Sequence, residues 1–244
     1  MKDRPNILYL MTDQQKASAA GFLGNPHVSS PFIDRMAEEG IAFGNAYSPS
    51  PICTPSRASV HTGLYPLVHR VTCHQNRAPW NVPQLAELLQ QEGYYTAVAG
   101  HYEMNRNLNR GWHEQCSFQE RGPLWDSFRA WIQAGRKDVA WASGATDYPE
   151  TESNDHLVAD RAIRMIDQID RADAPYFFHV CLPSPHPPYF VPEPYSDLVD
   201  PDSLPLPPQG SRVGPTGSSG AGRRTARRRP PSRISGRWWP PTTG

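Results

Sequence analysis

Along residues 1–205, short apolar runs alternate with amphipathic segments, and this alternation restricts the chain to few architectures. "NILYLM" (residues 6–11) has the length and composition of a buried strand and ends in the polar "TDQQ". "SPFIDRMAEEG" predicts a helix: Ser30 can cap it, Pro31 suits the first turn, Ile33, Met36 and Ala37 share a face, and Gly40 can stop it. "IAFGNAYS" predicts a second strand. "TPSRASVHTG" predicts a short helix with Thr54 as cap, Pro55 at the first position and Gly63 at the end. "VPQLAELLQQEG" follows as a helix, with Leu85, Leu88 and Leu89 on one side, then "YYTAVAG" as a strand. "SNDHLVADRAIRMIDQI" has the clearest helical stripe, formed by Leu157, Ala162, Met165, Ile166 and Ile169. "YFFHVCL" returns as a strand. Strands separated by helices imply an α/β fold with a mostly parallel sheet flanked by helices. In such sheets the site lies beyond strand C-termini, where Asp13, His101 and His186 fall.

Charge divides the chain in two. Eight of its 24 basic residues, all Arg, lie in residues 206–244, which carry no acid. The remaining 16 oppose 24 acids, so residues 1–205 are a mildly acidic segment, unsuited to nucleic acid. The tail "PPQGSRVGPTGSSGAGRRTARRRPPSRISGRWWPPTTG" has no apolar period. It reads as a basic tail for nucleic acid or a partner or as a disordered low-complexity segment, and best as frameshifted translation of a GC-rich gene. No run approaches the 18–20 apolar residues of a membrane span, and "MKDRPNILYLMTDQQ" lacks a leader's cleavage site. The expectation is a cytoplasmic protein without membrane contact, its four cysteines free thiols.

One of those cysteines stands in "SPSPICTPSRASVHTGLYP". Cys53, Pro55 and Arg57 fit Cys-x-Pro-x-Arg, and the chain around them resembles the sulfatase family of the alkaline-phosphatase-like superfamily. The resemblance runs from "RPNILYLMTDQQ" through "GNPHVSSPFIDRMAEEGIAFGNAYSPSPICTPSRAS" and "LAELLQQEGYYTAVAG" to "PSPHPPYFVPEPY", in the family's order. It implies an alkaline-phosphatase-like sheet and a sulfuric ester hydrolase. It also implies conversion of Cys53 to formylglycine by a formylglycine-generating enzyme. A thiol that attacked a sulfate ester would be left as a stable thiosulfate. A hydrated aldehyde has two hydroxyls on one carbon, one to attack and one to drive release.

The resemblance further assigns Arg57 to the charge at residue 53 and His186 to the sulfate or its leaving oxygen. It places a divalent cation at Asp13, Gln14 and residue 53: Ca²⁺ first, with Mg²⁺ or Mn²⁺ as alternatives. Gln14 stands where many members have a second Asp. "GHYEMN" stands where the common pattern is Gly-Lys-x-His. His101 would thus supply positive charge when protonated, and Glu103 would be the base, unless the site has drifted. The family's later Asp-x-Gly motif, which completes the metal site, has no match after Pro205. The expectation is therefore the N-terminal part of a sulfatase catalytic domain over residues 1–205, truncated, with a small sulfate ester as substrate. A phosphonate monoester or phosphodiester hydrolase and a non-catalytic fragment remain as alternatives.

Overall fold

The computed structural model describes residues 4–79, 81–102, 110–117, 143–146, 149–169, 174–187 and 189–205. Three apolar runs become the centre of one parallel sheet. β1 (Ile7–Thr12) pairs with β5 (Tyr176–Leu182), which pairs with β2 (Tyr95–Gly100), which pairs with β3 (Glu114–Ser117), giving the order β1-β5-β2-β3. β4 (Ser143–Thr146) and β6 (Tyr189–Pro192) form a separate parallel pair.

Strand alternation divides the core. Ala97, Ala99, Phe178 and Val180 point to one face, where helix α5 (Asn154–Ile169) covers them with Val158, Ala162, Met165 and Ile169. The hydroxyl of Ser153 accepts the His156 N–H and caps that helix's first turn. On the opposite face lie Val98, Phe177, His179 and Cys181. They are covered by α2 (Cys53–Thr62) through Ala58, by α4 (Leu85–Gln91) through Ala86, and by Trp112. α4 opens with a reciprocal cap, the Gln84 N–H donating to Glu87 Oε2 at 3.1 Å.

Three local expectations are corrected. Residues 41–48 form no strand. Ile41 and Phe43 are 82% and 76% exposed, and no described strand runs beside them to take up their backbone groups. α1 (Pro31–Glu39) forms as expected on Ser30 and Pro31, yet Phe32, Ile33 and Met36 are exposed; among the described elements its main contact is the turn at 21–23. β1 is only half buried: Leu8 and Leu10 pair in register with Phe178 and Val180, but α5 does not extend over them. α3 (Pro66–His69) is a single turn following α2. Among the described residues, no helix is long and apolar enough to cross a membrane.

Candidate active site

Asp13 is the first residue past β1, and the next residue, Gln14, adopts left-handed backbone (φ 58°) that turns the chain over the sheet edge. The turn buries Asp13 while Gln14 stays exposed. Cys53 is the first residue of α2, with Ile52 rather than Thr54 at the cap position. The Thr54 hydroxyl instead meets His74 Nδ1 at 2.8 Å, and Pro55 sits inside the first turn, where its missing N–H leaves no hydrogen bond unmade. Gly63 closes α2 in left-handed conformation, its N–H on the Ser59 carbonyl.

The two segments meet at a carboxylate. Cys53 Sγ–H donates to Asp13 Oδ1 at 3.4 Å, and Arg57 Nη2 donates to Asp13 Oδ2 at 3.2 Å. Arg57 lies one turn into α2, so the spacing in C-T-P-S-R puts both side chains toward the end of β1. Asp13 and Arg57 are 5% and 3% exposed, so their ion pair is shielded from water. Arg57 Nη1 is buried too and has no hydrogen-bond partner among the described residues, a donor suited to an anionic oxygen. His101, just past β2, holds Nε2 3.7 Å from Asp13 Oδ2, and its N–H donates to the Cys181 carbonyl. His186 follows β5 and is exposed. Its Nδ1–H donates to the Pro187 carbonyl at 2.7 Å, which leaves the Nε2 lone pair of the neutral ring available. Asp13, Cys53 and His186 each offer one ligand atom, all within 4.8 Å of one another.

This carboxylate–cysteine–imidazole group fits a divalent cation, with Asp13 as the hard oxygen donor and the side chain at 53 deciding the rest of the preference. Glu103 lies outside the described residues. The structure therefore brings Asp13, Cys53, Arg57, His101 and His186 to one end of the sheet, and it places Gln14 beside them, exposed.

The family model for Sulfatase matches residues 5–202. The chain belongs to the sulfatase family. An ulvan-active sulfatase from Formosa agariphila is 30% identical over 215 residues, covering 85% of this chain and 41% of its own length. An arylsulfatase from Clostridium perfringens is 28% identical over 244 residues, covering 85% of this chain and 48% of its own. Among solved structures, the phosphonate monoester hydrolase of Agrobacterium radiobacter superposes with a TM-score of 0.67 at 25% identity. That match covers 83% of this chain and 45% of that one. The fold of this chain is thus alkaline-phosphatase-like, and the chain spans less than half the length of these relatives.

Behind the site, the chain carries polar residues that sequence patterning did not single out. Asp155, in the first turn of α5, accepts both the N–H of Ser184, at 3.1 Å, and its hydroxyl; the Ser184 carbonyl takes the Asp13 N–H at 3.2 Å. One serine thus joins the loop bearing His186 to the loop bearing Asp13. Deeper in, Cys181 Sγ lies 3.1 Å from His179 Nε2. His179 stacks on Tyr9, with centroids 4.6 Å apart, and faces His61 at 4.9 Å. Burial pushes the Cys181 thiol up to about 12, so it stays neutral. Nothing in "SVHTG" or "YFFHVCL" distinguishes these histidines from solvated ones.

Both nitrogens of His61 are buried without a hydrogen-bond partner among the described residues. Burial, and secondarily the Arg57 charge, pull its pKa from 6.5 down to about 4, and His179 is lowered too, by burial and then by His61 and Arg57. Below pH 6.5 the unfolded chain takes up a proton that folded His61 refuses until about pH 4. Stability from this group is complete above 6.5 and falls as the pH drops toward 4, by on the order of 3 kcal/mol for His61 alone. Urea midpoints between pH 7.5 and 4 should show this decline, and His61→Phe should flatten it. An equally steep decline in the variant would show that His61 is not its source.

Proposed function

We propose that this chain carries the nucleophile-bearing part of a sulfuric ester hydrolase, with residues 1–205 as the N-terminal part of its catalytic domain. The observation that carries the proposal is Cys53 at the first turn of α2, hydrogen-bonded to Asp13, with Arg57 one turn on and ion-paired to the same carboxylate. When bound, a divalent cation and a formylglycine at position 53 supply the electrophilic and nucleophilic chemistry.

The chain's own residues do the remaining work. Arg57, held by Asp13 in a buried position one turn into α2, supplies a fixed positive charge that offsets negative charge at residue 53. Asp13 holds that guanidinium in place and offers Oδ1 toward residue 53. His186 turns Nε2 outward because Nδ1–H is tied to Pro187, so it can hold a proton beside a leaving oxygen or ligate the cation. His101 adds positive charge near the anion when protonated, and Glu103 is the base for release. The positive end of the α2 dipole at Cys53 favours an anion there.

The test is chemical. The chain, co-expressed with a formylglycine-generating enzyme, should yield a Cys53 peptide that has lost the thiol and gained an aldehyde by tandem mass spectrometry. It should label with a hydrazide, and Cys53→Ser should not. Complete retention of the thiol would refute the assignment. A phosphonate monoester or a phosphodiester is the alternative substrate class, the first favoured by the likeness to the phosphonate monoester hydrolase of Agrobacterium radiobacter. Comparing turnover of an aryl sulfate with that of a phenylphosphonate ester, in a protein of the relatives' length, separates the two.

A further inference from the structure

The residues at the site fit one ion as encoded and another once residue 53 is modified. A hard cation such as Ca²⁺ takes six to eight oxygen ligands. The three ligand atoms gathered here are a carboxylate oxygen, a thiol sulfur and an imidazole nitrogen. A borderline-soft ion that takes four ligands, with N, O and S among them, matches this set better.

We propose that, with Cys53 still a thiol, the site is a Zn²⁺ site. Its ligands are Asp13 Oδ1, Cys53 Sγ and His186 Nε2, with the fourth position open to water or an anion. Three observations point the same way. Cys53 Sγ and Asp13 Oδ1 already stand 3.4 Å apart. Zn–S near 2.3 Å and Zn–O near 2.1 Å at tetrahedral angles separate two ligand atoms by roughly 3.6 Å. The second oxygen of Asp13 is held by Arg57, which fixes the carboxylate with Oδ1 toward the thiol. The Nδ1–H of His186 is bound to a backbone carbonyl, the arrangement by which metal-ligating histidines are oriented. A ring nitrogen of His186 already lies within 4.8 Å of the other two ligand atoms, and a small shift of its exposed loop, with the bond to Pro187 kept, completes the set.

Binding replaces the hydrogen bond from Cys53 to Asp13: the S–H bond breaks, its proton goes to solvent, and a Zn–S bond forms with no change of oxidation state. The thiolate and Asp13 then bring two negative charges, against Arg57 and the divalent ion. Converting Cys53 to formylglycine, with O2 as oxidant, two external thiols as reductant, and the sulfur leaving as hydrogen sulfide, puts oxygen in its place, so the site exchanges a preference for Zn²⁺ for one for Ca²⁺ or Mg²⁺. That last step rests on the formylglycine assignment; Zn²⁺ binding by the thiol form does not.

The experiment uses the full reduced chain with Co²⁺ as the spectroscopic probe, Zn²⁺ as competitor, and Ca²⁺ for comparison. One equivalent of Co²⁺ should give the intense visible bands of a tetrahedral ion and a near-ultraviolet sulfur-to-cobalt charge-transfer band, and Zn²⁺ should erase both. Cys53→Ser should lose the charge-transfer band and weaken Zn²⁺ roughly 100-fold. His186→Ala, on an exposed residue, should keep the band and weaken Zn²⁺ by about 10–100-fold. Cys73→Ser, Cys116→Ser and Cys181→Ser should behave as the parent. The proposal is overturned by a band that survives Cys53→Ser, by a pale octahedral Co²⁺ spectrum, or by Zn²⁺ binding no tighter than Ca²⁺. An aldehyde found at Cys53 together with any of these would overturn the zinc site and leave the formylglycine assignment standing. Zinc binding without conversion would do the reverse.

Discussion

Arg57→Ala should lower the unfolding free energy of the chain by about 3–5 kcal/mol, because it strands a buried carboxylate. Asp13 and Arg57 side chains are 6% and 4% exposed and 3.2 Å apart, so little water remains to solvate either charge alone. The isolated Asp13 would keep the Cys53 thiol and, 3.7 Å away, His101. Neither matches a fixed guanidinium. Two further variants identify the cause. Asp13→Asn alone leaves Arg57 without its counter-charge and should also destabilise. Asp13→Asn combined with Arg57→Ala removes both charges and should cost clearly less than the sum of the single changes. Urea unfolding of the four proteins measures this. Additive losses, or a loss below about 1 kcal/mol for Arg57→Ala, would show that the pair does not hold the end of β1 to α2.

Gly100→Ala should be nearly as damaging, for a steric reason. Gly100 ends β2 at φ +95°, where side chains are rarely tolerated. A Cβ there would overlap the Cys181 carbonyl oxygen and stand 2.9 Å from Val158 Cγ1. That carbonyl accepts the His101 N–H at 2.9 Å, so relieving the overlap shifts β5 and the residue at the rim of the site together. Strain and overpacking of 1–3 kcal/mol each add to a loss of about 4 kcal/mol. Gly63→Ala is the matched control. Its φ is +69°, but nothing lies within 4 Å of the added Cβ, so only the conformational cost of about 1–2 kcal/mol applies. Equal losses for the two variants in thermal or urea unfolding would remove the steric argument.

How far each feature could be read in advance depended on how local its cause is. Strand β5, helices α4 and α5 and the Gly63 stop follow from residues within each segment: apolar runs, a period near 3.6, a capping side chain, a glycine. The segment C-T-P-S-R likewise carries its own geometry, since one helical turn separates Cys53 from Arg57. The strand expected at 41–48 failed because a strand needs a neighbour, and alternation in Ile41 and Phe43 says nothing about whether one is there. The same holds for Leu8 and Leu10, apolar enough for a core but on the face of β1 that α5 leaves bare.

By itself the sequence determined the order of β1, α1, α2, α4, β2, α5 and β5, the family, and the residue types available at the ends of β1, β2 and β5. The tertiary structure decided how they meet. Asp13 and Cys53 are 40 residues apart in the chain and in contact in space. Asp155 reaches the loop of His186 through Ser184, and His61 and His179 lose their water and with it their basicity. Contacts across a parallel sheet join segments distant in sequence, and desolvation depends on what covers a residue from every side. Neither quantity is a property of any one stretch of chain.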